Sequence, residues 1–253
     1  FNIKEELLNV MDIKKINEIM NYKSYSILRK DLMQILFDKA IDLDISIHFN
    51  YNMILLKSIN KEQSQLIFEN GHDFITDMVI GSDGRMNSLT RAYVNGDNLP
   101  IFHGFINWVG IIESENDLFP KLDVLDYWGT GCRFGIVPIN NKKAYWAAGI
   151  TSSLIEEKDS TVYKKELNTF FKNCPGSILE VINQTKLEDI NKLYIHDHNP
   201  IKTWYKNNVL LIGDSAHAAL PTSGQGACQA LEDAWHLCES LKINNDDIQK
   251  SFE

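Results

Sequence analysis

The part of the sequence that decides the fold is Val209-Leu-Leu-Ile-Gly-Asp-Ser-Ala-His-Ala-Ala-Leu-Pro-Thr-Ser-Gly-Gln-Gly-Ala-Cys-Gln-Ala-Leu-Glu-Asp-Ala-Trp235. Its first four residues form a short apolar run, which predicts a buried strand. Gly213 and Asp214 follow where that strand ends, and open α/β sheets bind ligands at the carboxyl ends of their strands. Spacing alone is equally typical of a strand-loop-helix unit that binds no ligand.

A glycine-containing loop and a helix follow this strand. The loop carries Pro221, Gly224 and Gly226. The helix has apolar residues spaced to lie on one face, which predicts that this face is buried: Ala227, Leu231, Ala234, Trp235, Cys238 and Leu241. Because glycines leave the N–H groups at a helix N-terminus accessible, the segment predicts a site for a planar or anionic ligand.

The residue types in this stretch resemble a known cofactor motif. They are similar to the second FAD motif of class A flavoprotein monooxygenases, the para-hydroxybenzoate hydroxylase group that includes salicylate and urate hydroxylases. The match is long and has no gap, and it extends through Glu232-Asp233-Ala234. The resemblance implies that FAD contacts Gly213, Asp214, Pro221, Gly224, Gln225, Gly226 and Ala227.

A second segment resembles another motif of the same family. It is Gly81-Ser-Asp-Gly-Arg-Met-Asn-Ser-Leu-Thr-Arg91, which follows a strand-like run. Without that setting, an Asp-Gly turn would be common. The segment resembles the family's Asp-Gly motif, Gly-x-Asp-Gly-x-x-Ser-x-x-Arg, with Gly81, Asp83, Gly84, Ser88 and Arg91 as its named residues. The resemblance implies that Asp83 contacts FAD and that Asp83 and Arg91 are linked to NAD(P)H binding.

An arginine near the N-terminus is a third candidate cofactor contact. Arg29 begins a predicted helix whose apolar residues share one face: Leu28, Leu32, Ile35, Leu36 and Ala40. By itself it is more typical of a solvated arginine. The segment resembles the family's Arg-x-x-Leu helix, however, and this resemblance implies that Arg29 lies beside FAD.

Two groups of strands are predicted from short apolar or aromatic runs. The first group is 46–50, 53–59, 65–68 and 74–80, with a turn at Asn70-Gly71; the second is 101–112, 122–128, 133–139 and 143–150. A separate strand is predicted at 193–200, ahead of the Gly-Asp strand. The glycines between Gly129 and Gly135 are followed by a strand rather than a helix, so they predict a hairpin turn and not a dinucleotide loop. Helices are predicted at 164–171 and 177–184.

The second group of strands is expected to form one wall of a substrate pocket, because this sheet faces the flavin in the family. The candidate substrate residues are Tyr127, Arg133 and Phe134. An arginine there could neutralise an acidic or enolic substrate, but a surface salt bridge is an equally good interpretation.

Composition excludes several classes of protein. The 253 residues include 25 basic and 34 acidic ones, a net charge of −9 that argues against a nucleic-acid partner. No apolar run approaches the roughly 20 residues that span a bilayer. The cysteines, at 132, 174, 228 and 238, form no Cys-x-x-Cys pair and indicate neither a zinc site nor a redox motif. Four scattered cysteines favour a cytoplasmic location.

The motifs together imply the fold class, which is α/β (α+β). We expect an incomplete FAD/NAD(P)-binding, Rossmann-like three-layer domain with an inserted antiparallel β-sheet substrate domain. Residues 1–98 and 201–253 would form parts of the FAD-binding domain, and 99–200 the substrate domain. The family's N-terminal Gly-x-Gly-x-x-Gly unit does not occur in the sequence, and the chain begins at Phe1. We therefore interpret it as part of a longer polypeptide.

One residue departs from the family pattern near the Gly-Asp strand. Relatives commonly place an arginine two positions before the proline that precedes that strand, and here His198 occupies the position. The sequence gives His198 no role.

The resemblance implies a single-component FAD monooxygenase. NAD(P)H would reduce the flavin, and O2 would add to give a C4a-hydroperoxyflavin that hydroxylates a small aromatic or enolic substrate; no protein metal is needed. Asp214 would hold ribitol hydroxyls, and the backbone at 224–227 would face the flavin edge. Two alternatives stay open: another flavoenzyme of this fold, such as a halogenase or a prenyl-lipid reductase, or a non-catalytic or split remnant that serves as a binding module. The sequence lacks a halogenase's Trp-x-Trp-x-Ile-Pro motif.

Overall fold

A computed structural model describes residues 1–96, 99–153, 155 and 159–252 of the chain. The chain divides into two compact units. The first consists of Phe1–Ser46 with Gly104–Tyr194, and the second of Ile47–His103 with Ile195–Glu253. The domain limits that we predicted from the sequence stay predictions, and two of their end points, 98 and 253, lie outside the described residues.

The described residues form eight α-helices and eleven strands. In chain order they are α1 (Ile13–Met20), α2 (Arg29–Asp42), β1 (Met53–Ser58), β2 (Ser64–Phe68), β3 (Asp73–Thr76), β4 (Val79–Gly81), α3 (Leu89–Asn95), β5 (Ile101–Glu113), β6 (Leu125–Gly129), β7 (Cys132–Asn140), β8 (Lys143–Thr151), α4 (Tyr163–Phe170), α5 (Gly176–Gln184), β9 (Ile190–Asp197), β10 (Tyr205–Lys206), β11 (Val209–Leu211), α6 (Asp214–His217), α7 (Gly226–Ile243) and α8 (Ile248–Phe252).

The first unit is built around a five-stranded sheet in the order β6-β7-β8-β5-β9. Because side chains alternate along a strand, this sheet has one buried face and one open face. On the buried face, Phe134 stacks on Trp146 with ring centroids 5.4 Å apart and meets Phe171 edge-on at 5.5 Å. The indole N–H of Trp146 donates to Thr185 Oγ1 at 2.9 Å. Each such aromatic side chain contributes about 2–3 kcal/mol through burial.

The second unit contains two three-stranded sheets. One is antiparallel, in the order β1-β2-β3; the other has the order β10-β11-β4, with β11 and β4 parallel. The antiparallel sheet contains the predicted Asn70-Gly71 turn, where Gly71 takes a φ of 84°. This positive φ is open to glycine at little cost, which confirms the turn signal.

Most of the predicted strands are confirmed, and so is the hairpin at Gly129–Gly135. There β6 and β7 pair antiparallel, with Gly129 opposite Cys132. Only Thr130 and Gly131 lie between them, and Gly131 has a φ of 70°. The glycines therefore serve a tight turn between strands, which excludes a dinucleotide-binding loop at this position.

Two strand predictions are wrong. Residues 46–50 form no strand, because Asn50 takes a left-handed φ of 62° that ends the extended run. Residues 74–80 form two strands, β3 and β4, in different sheets. Between them the Thr76 hydroxyl donates to the carbonyl of Met78 at 3.0 Å, a local bond that turns the chain out of the first sheet.

The apolar faces predicted on two helices are not buried in the described residues. Neither α2 nor α7 contains a buried residue, and Leu231 and Trp235 of α7 are 49% and 61% exposed. The 3.6-residue periodicity identified both helices correctly. It could not tell whether a covering surface is present in the same stretch of chain.

Candidate functional site

The second unit brings the two predicted cofactor motifs together at one edge of a sheet. The parallel strands β11 and β4 end side by side, with Leu211 paired with Gly81. The Gly-Asp motif continues from β11 and the Asp-Gly motif from β4. Because parallel strands end on the same side, both motifs lie at the edge where open α/β sheets bind ligands.

Asp214 is the charged residue at this edge that the sequence analysis placed against the cofactor. It is the first residue of α6, and its Oδ2 accepts hydrogen bonds from Arg85 Nη2 at 2.7 Å and Nε at 3.1 Å. The other carboxylate oxygen of Asp214, Oδ1, lies near the start of α7: a Cβ atom placed on Gly226 would be 3.9 Å from it. The side chain is 38% exposed. Oδ1 is therefore the oxygen best placed to accept from ligand hydroxyls.

The N-terminus of α7 lies open beside this carboxylate. Its N-cap residue, Gln225, makes no side-chain capping bond to the first N–H groups of this 18-residue helix. Gly224 takes a φ of 68°, which allows the tight approach into the helix. The predicted cofactor contacts here are all exposed: Pro221, Gly224, Gln225, Gly226 and Ala227. Such a helix end suits an electron-rich ligand edge, because the dipole is positive there.

The backbone that carries Asp214 is held by a side chain of α7. The carboxylate of Asp233 accepts from the backbone N–H of Gly213 at 2.7 Å and from the His217 ring at 2.6 Å. The Ser215 hydroxyl lies 2.6 Å from the carbonyl of Gly81, which ties the same segment to β4. Asp233 and His217 belong to the resembled motif, and the structure gives them a positioning role that spacing did not reveal.

Arg91 is buried and faces the same backbone. Its Nη1 donates to the carbonyls of Ser215 and Ala216 at 2.7 and 2.9 Å, and its Nη2 to the carbonyl of Asn199 at 3.0 Å. The residue is 2% exposed. Burial lowers the pKa of its guanidinium from the ordinary value, because desolvation disfavours the charged form. In this geometry Arg91 fastens the α6 segment and has little surface to offer NAD(P)H.

Asp83 is engaged within its own motif. Its carboxylate accepts from the Ser88 hydroxyl at 2.6 Å, from the Thr90 hydroxyl at 2.5 Å and from the Thr90 backbone N–H at 3.0 Å. Three residues separate Gly84 from Ser88, one more than in the resembled pattern. Asn87 accommodates the extra residue with a left-handed φ of 57°. Asparagine is one of the residue types that tolerates this conformation.

Gly81 must remain a glycine for this arrangement. A Cβ atom there would lie 2.2 Å from Thr90 Oγ1 and 2.5 Å from Thr90 Cβ. We expect Gly81→Ala to lower the free energy of unfolding by about 1–3 kcal/mol, because Thr90 would have to leave Asp83. Urea denaturation measures this. Gly176→Ala is the matched control, since its new methyl group meets nothing within 4 Å; an equal effect of both variants would contradict the steric argument.

The three predicted substrate residues do not lie on one face of the sheet. Tyr127 and Phe134 are paired across β6 and β7 and are 6% and 1% exposed, so they belong to the core. Arg133 lies next to Phe134 in the strand and therefore points to the opposite, open face. There its Nε and Nη2 donate to Asp126 at 2.8 and 2.9 Å, and its guanidinium lies 5.2 Å from the Trp128 ring centroid.

Other side chains lie on this open face and were not singled out from the sequence. Gly149 is paired with both Arg133 and Asn107, so these positions share a face. A Cβ atom on Gly149 would lie 2.4 Å from Phe105 Cζ and 2.8 Å from Asn107 Oδ1, so both side chains cover the glycine. Counting alternate positions back from the aromatic core residues would have found them.

Two further residues singled out from the sequence have clear positions. Arg29 is the exposed first residue of α2, in the first unit, and it stays a predicted cofactor contact. His198 is 8% exposed, and its Nε2 donates to the backbone carbonyl of Arg85. It thus holds the residue that binds Asp214.

Comparison with known proteins agrees with this geometry. Residues 12–244 match the FAD binding domain family. Aurachin C monooxygenase/isomerase of Stigmatella aurantiaca is 33% identical over 176 residues, 68% of this chain and 44% of that protein. An FAD-dependent urate hydroxylase of Mycolicibacterium vanbaalenii is 27% identical over 237 residues, 93% of this chain and 59% of its own. Klebsiella pneumoniae HpxO, solved with FAD and uric acid, has a TM-score of 0.87 at 22% identity over 95% of this chain and 61% of its own.

The chain therefore belongs to the FAD binding domain family of the class A FAD-dependent monooxygenases. This confirms the resemblance inferred from the two motifs, and the likeness to HpxO confirms the α/β fold class. The chain spans about half the length of the curated relatives that it matches.

In residues 1–96, 99–153, 155 and 159–252, no helix has the length and apolar character that crossing a membrane requires. Over the same ranges, no group of three or more His, Cys, Asp or Glu side chains is arranged to hold a metal ion.

Proposed function

We propose that this chain supplies the ribitol and flavin side of an FAD site in a monooxygenase that uses NAD(P)H and O2 to hydroxylate a small aromatic or enolic substrate. The observation that carries the proposal is the partly exposed Asp214 carboxylate beside the uncapped N-terminus of α7. Relatives named as a urate hydroxylase and as a monooxygenase support it. The cysteine pattern favours the cytoplasm as its location.

The side chains at the sheet edge would bind and orient the cofactor. Asp214 Oδ1 would accept from ribitol hydroxyls, and the N–H groups at Gly226 and Ala227 would face the flavin edge that gains negative charge on reduction. Pro221 would border the ring, and Arg29 stays a predicted FAD contact. When bound, FAD supplies hydride acceptance and O2 activation, and the protein supplies placement and exclusion of water.

Asp83 and Arg91 would serve the nicotinamide cofactor indirectly. The Asp83 carboxylate is taken up by Ser88 and Thr90, and the Arg91 guanidinium by three backbone carbonyls. Asp83 and Arg91 would therefore affect NAD(P)H binding by fixing the backbone conformation at the end of β4.

The first test is the visible absorption spectrum of the purified protein with added FAD. It is recorded for this chain alone and for a longer form that also carries a Gly-x-Gly-x-x-Gly unit. Flavin bound by either form supports the proposal, and binding by the longer form alone means that further residues complete the site. Flavin bound by neither form would overturn the proposal in favour of a non-catalytic binding module.

Arg133 is the proposed substrate contact on the open face of the sheet. We expect Arg133→Gln to lower kcat/KM roughly 10- to 100-fold with an acidic substrate, because a charge-assisted hydrogen bond contributes about 1.5–3 kcal/mol. Urate is the first substrate to try, since two similar proteins are named for it or were solved with it. The measurement is urate-dependent NAD(P)H oxidation.

The control for this prediction is FAD affinity, which should not change in Arg133→Gln. The kcat/KM of Arg133→Lys should lie between those of the wild type and Arg133→Gln, because lysine keeps the charge and lacks the planar guanidinium. An unchanged kcat/KM in Arg133→Gln would contradict a substrate contact and would mean that Arg133 only forms a surface salt bridge with Asp126.

A further inference from the structure

Arg85 connects three separate segments of the second unit. Its Nε and Nη2 donate to Asp214 Oδ2, and its Nη1 donates to the carbonyls of His196 at 2.9 Å and Ala219 at 3.4 Å. These acceptors lie at the end of β9, at the start of α6 and in the loop after α6. The guanidinium thus joins the Asp-Gly motif to the Gly-Asp motif.

The geometry argues against a role for Arg85 as a free anion-binding group. Each of its three guanidinium nitrogens already donates to an acceptor within the unit. The backbone of Arg85 is fixed as well, because its carbonyl accepts from the buried His198. The side chain is 27% exposed, so its ion pair is partly shielded from water. A guanidinium held in this way fixes its acceptors in place.

We propose that Arg85 is a positioning residue for the cofactor, acting through Asp214. By holding Oδ2, it fixes the carboxylate in the rotamer that places Oδ1 next to the start of α7. A carboxylate fixed in advance loses less conformational freedom when a ligand binds. This inference rests on the proposed FAD site. It adds that Arg85 contributes to FAD affinity only while Asp214 is present.

A double-mutant cycle on FAD affinity tests the inference. The variants are Arg85→Met, Asp214→Ala and the double variant, each made in the form of the protein that binds FAD and titrated by flavin fluorescence. We expect Arg85→Met to raise Kd roughly 5- to 100-fold in the presence of Asp214, which lies within the range found for residues that share a contact. In the Asp214→Ala background the same change should alter Kd less than about twofold.

Two further variants separate positioning from loss of fold or of general charge. Arg85→Lys should give an intermediate Kd, because it keeps the charge beside Asp214 without the fork. Lys143→Met is the matched control, since Lys143 is a paired cation of 28% side-chain exposure in the first unit; its Kd should equal that of the wild type. If Arg85→Met does not fold, Arg85→Gln takes its place in the cycle.

The outcomes distinguish this inference from the proposed function. If Arg85→Met changes the Kd for FAD by the same factor with and without Asp214, Arg85 acts on the cofactor independently. That result overturns this inference and leaves the proposed function intact. Wild-type affinity in Arg85→Met would overturn the inference too. Failure of the wild-type protein to bind FAD would overturn the proposed function before the cycle begins.

Discussion

Asp214→Ala is expected to purify without flavin and to bind added FAD roughly a hundredfold more weakly than the wild type. Asp214 supplies the charged acceptor at the end of β11, and hydrogen bonds to a charged group contribute about 1.5–3 kcal/mol each. A loss of about 2.7 kcal/mol corresponds to a hundredfold change in Kd. Flavin absorbance after purification and a fluorescence titration measure the two effects.

Asp214→Asn is the matched variant for this prediction. It keeps the shape and one acceptor oxygen while removing the charge, so its Kd should lie between those of Asp214→Ala and the wild type. The folded state of both variants is checked by circular dichroism. Full flavin occupancy in Asp214→Ala would show that the Gly-Asp motif has been assigned to the wrong part of the cofactor.

Arg91→Met is expected to lower the free energy of unfolding by about 4 kcal/mol. The substitution removes three hydrogen bonds from a side chain that is 2% exposed. It leaves the carbonyls of Ser215, Ala216 and Asn199 without their donor, and each unsatisfied buried group costs about 1–3 kcal/mol. Since domains are stable by only about 5–15 kcal/mol, this loss should be plain in the midpoint of urea denaturation.

Lys30→Met is the control, because an exposed side chain on α2 should change stability by less than about 0.5 kcal/mol. Arg91→Lys should recover part of the loss, since one ammonium cannot reach all three carbonyls with the geometry of the guanidinium. A loss below about 1 kcal/mol in Arg91→Met would mean that water satisfies those carbonyls once the arginine is gone. The hydrogen bonds of Arg91 would then not be what holds the α6 segment in place.

The sequence placed both predicted cofactor motifs directly after strands, and it could do so because the signals are local. A short apolar run, a Gly-Asp step and a helix that begins with glycine follow one another within residues 209–235, and each has a direct backbone reason. The same holds for the hairpin at Gly131, because glycine adopts the positive φ that this turn requires. The sequence also identified motif residues whose roles depend on long-range contacts, but it did not reveal those roles. Arg91 was assigned to the nicotinamide cofactor, and only the fold shows it binding carbonyls of Ser215 and Ala216.

The substrate wall shows the limit most clearly. Tyr127, Arg133 and Phe134 were chosen by residue type and proximity, yet adjacent residues in a strand point to opposite faces. Which face is covered depends on α4 and α5, which lie about 30 to 50 residues further along the chain. The clash between Phe105 and a side chain at Gly149 likewise arises only once β5 and β8 pair.

The sequence by itself determined that this chain belongs to the FAD binding domain family, that Asp214 follows a strand, and where most of the strands lie, because these depend on local backbone chemistry and periodicity. The tertiary structure alone decided that Arg85 holds Asp214, that Arg91 and Asp233 fasten the backbone around it, and which face of the sheet is open. The partners in these contacts are up to 129 residues apart along the chain. No local pattern encodes such a pairing, because only burial and strand order bring the partners together.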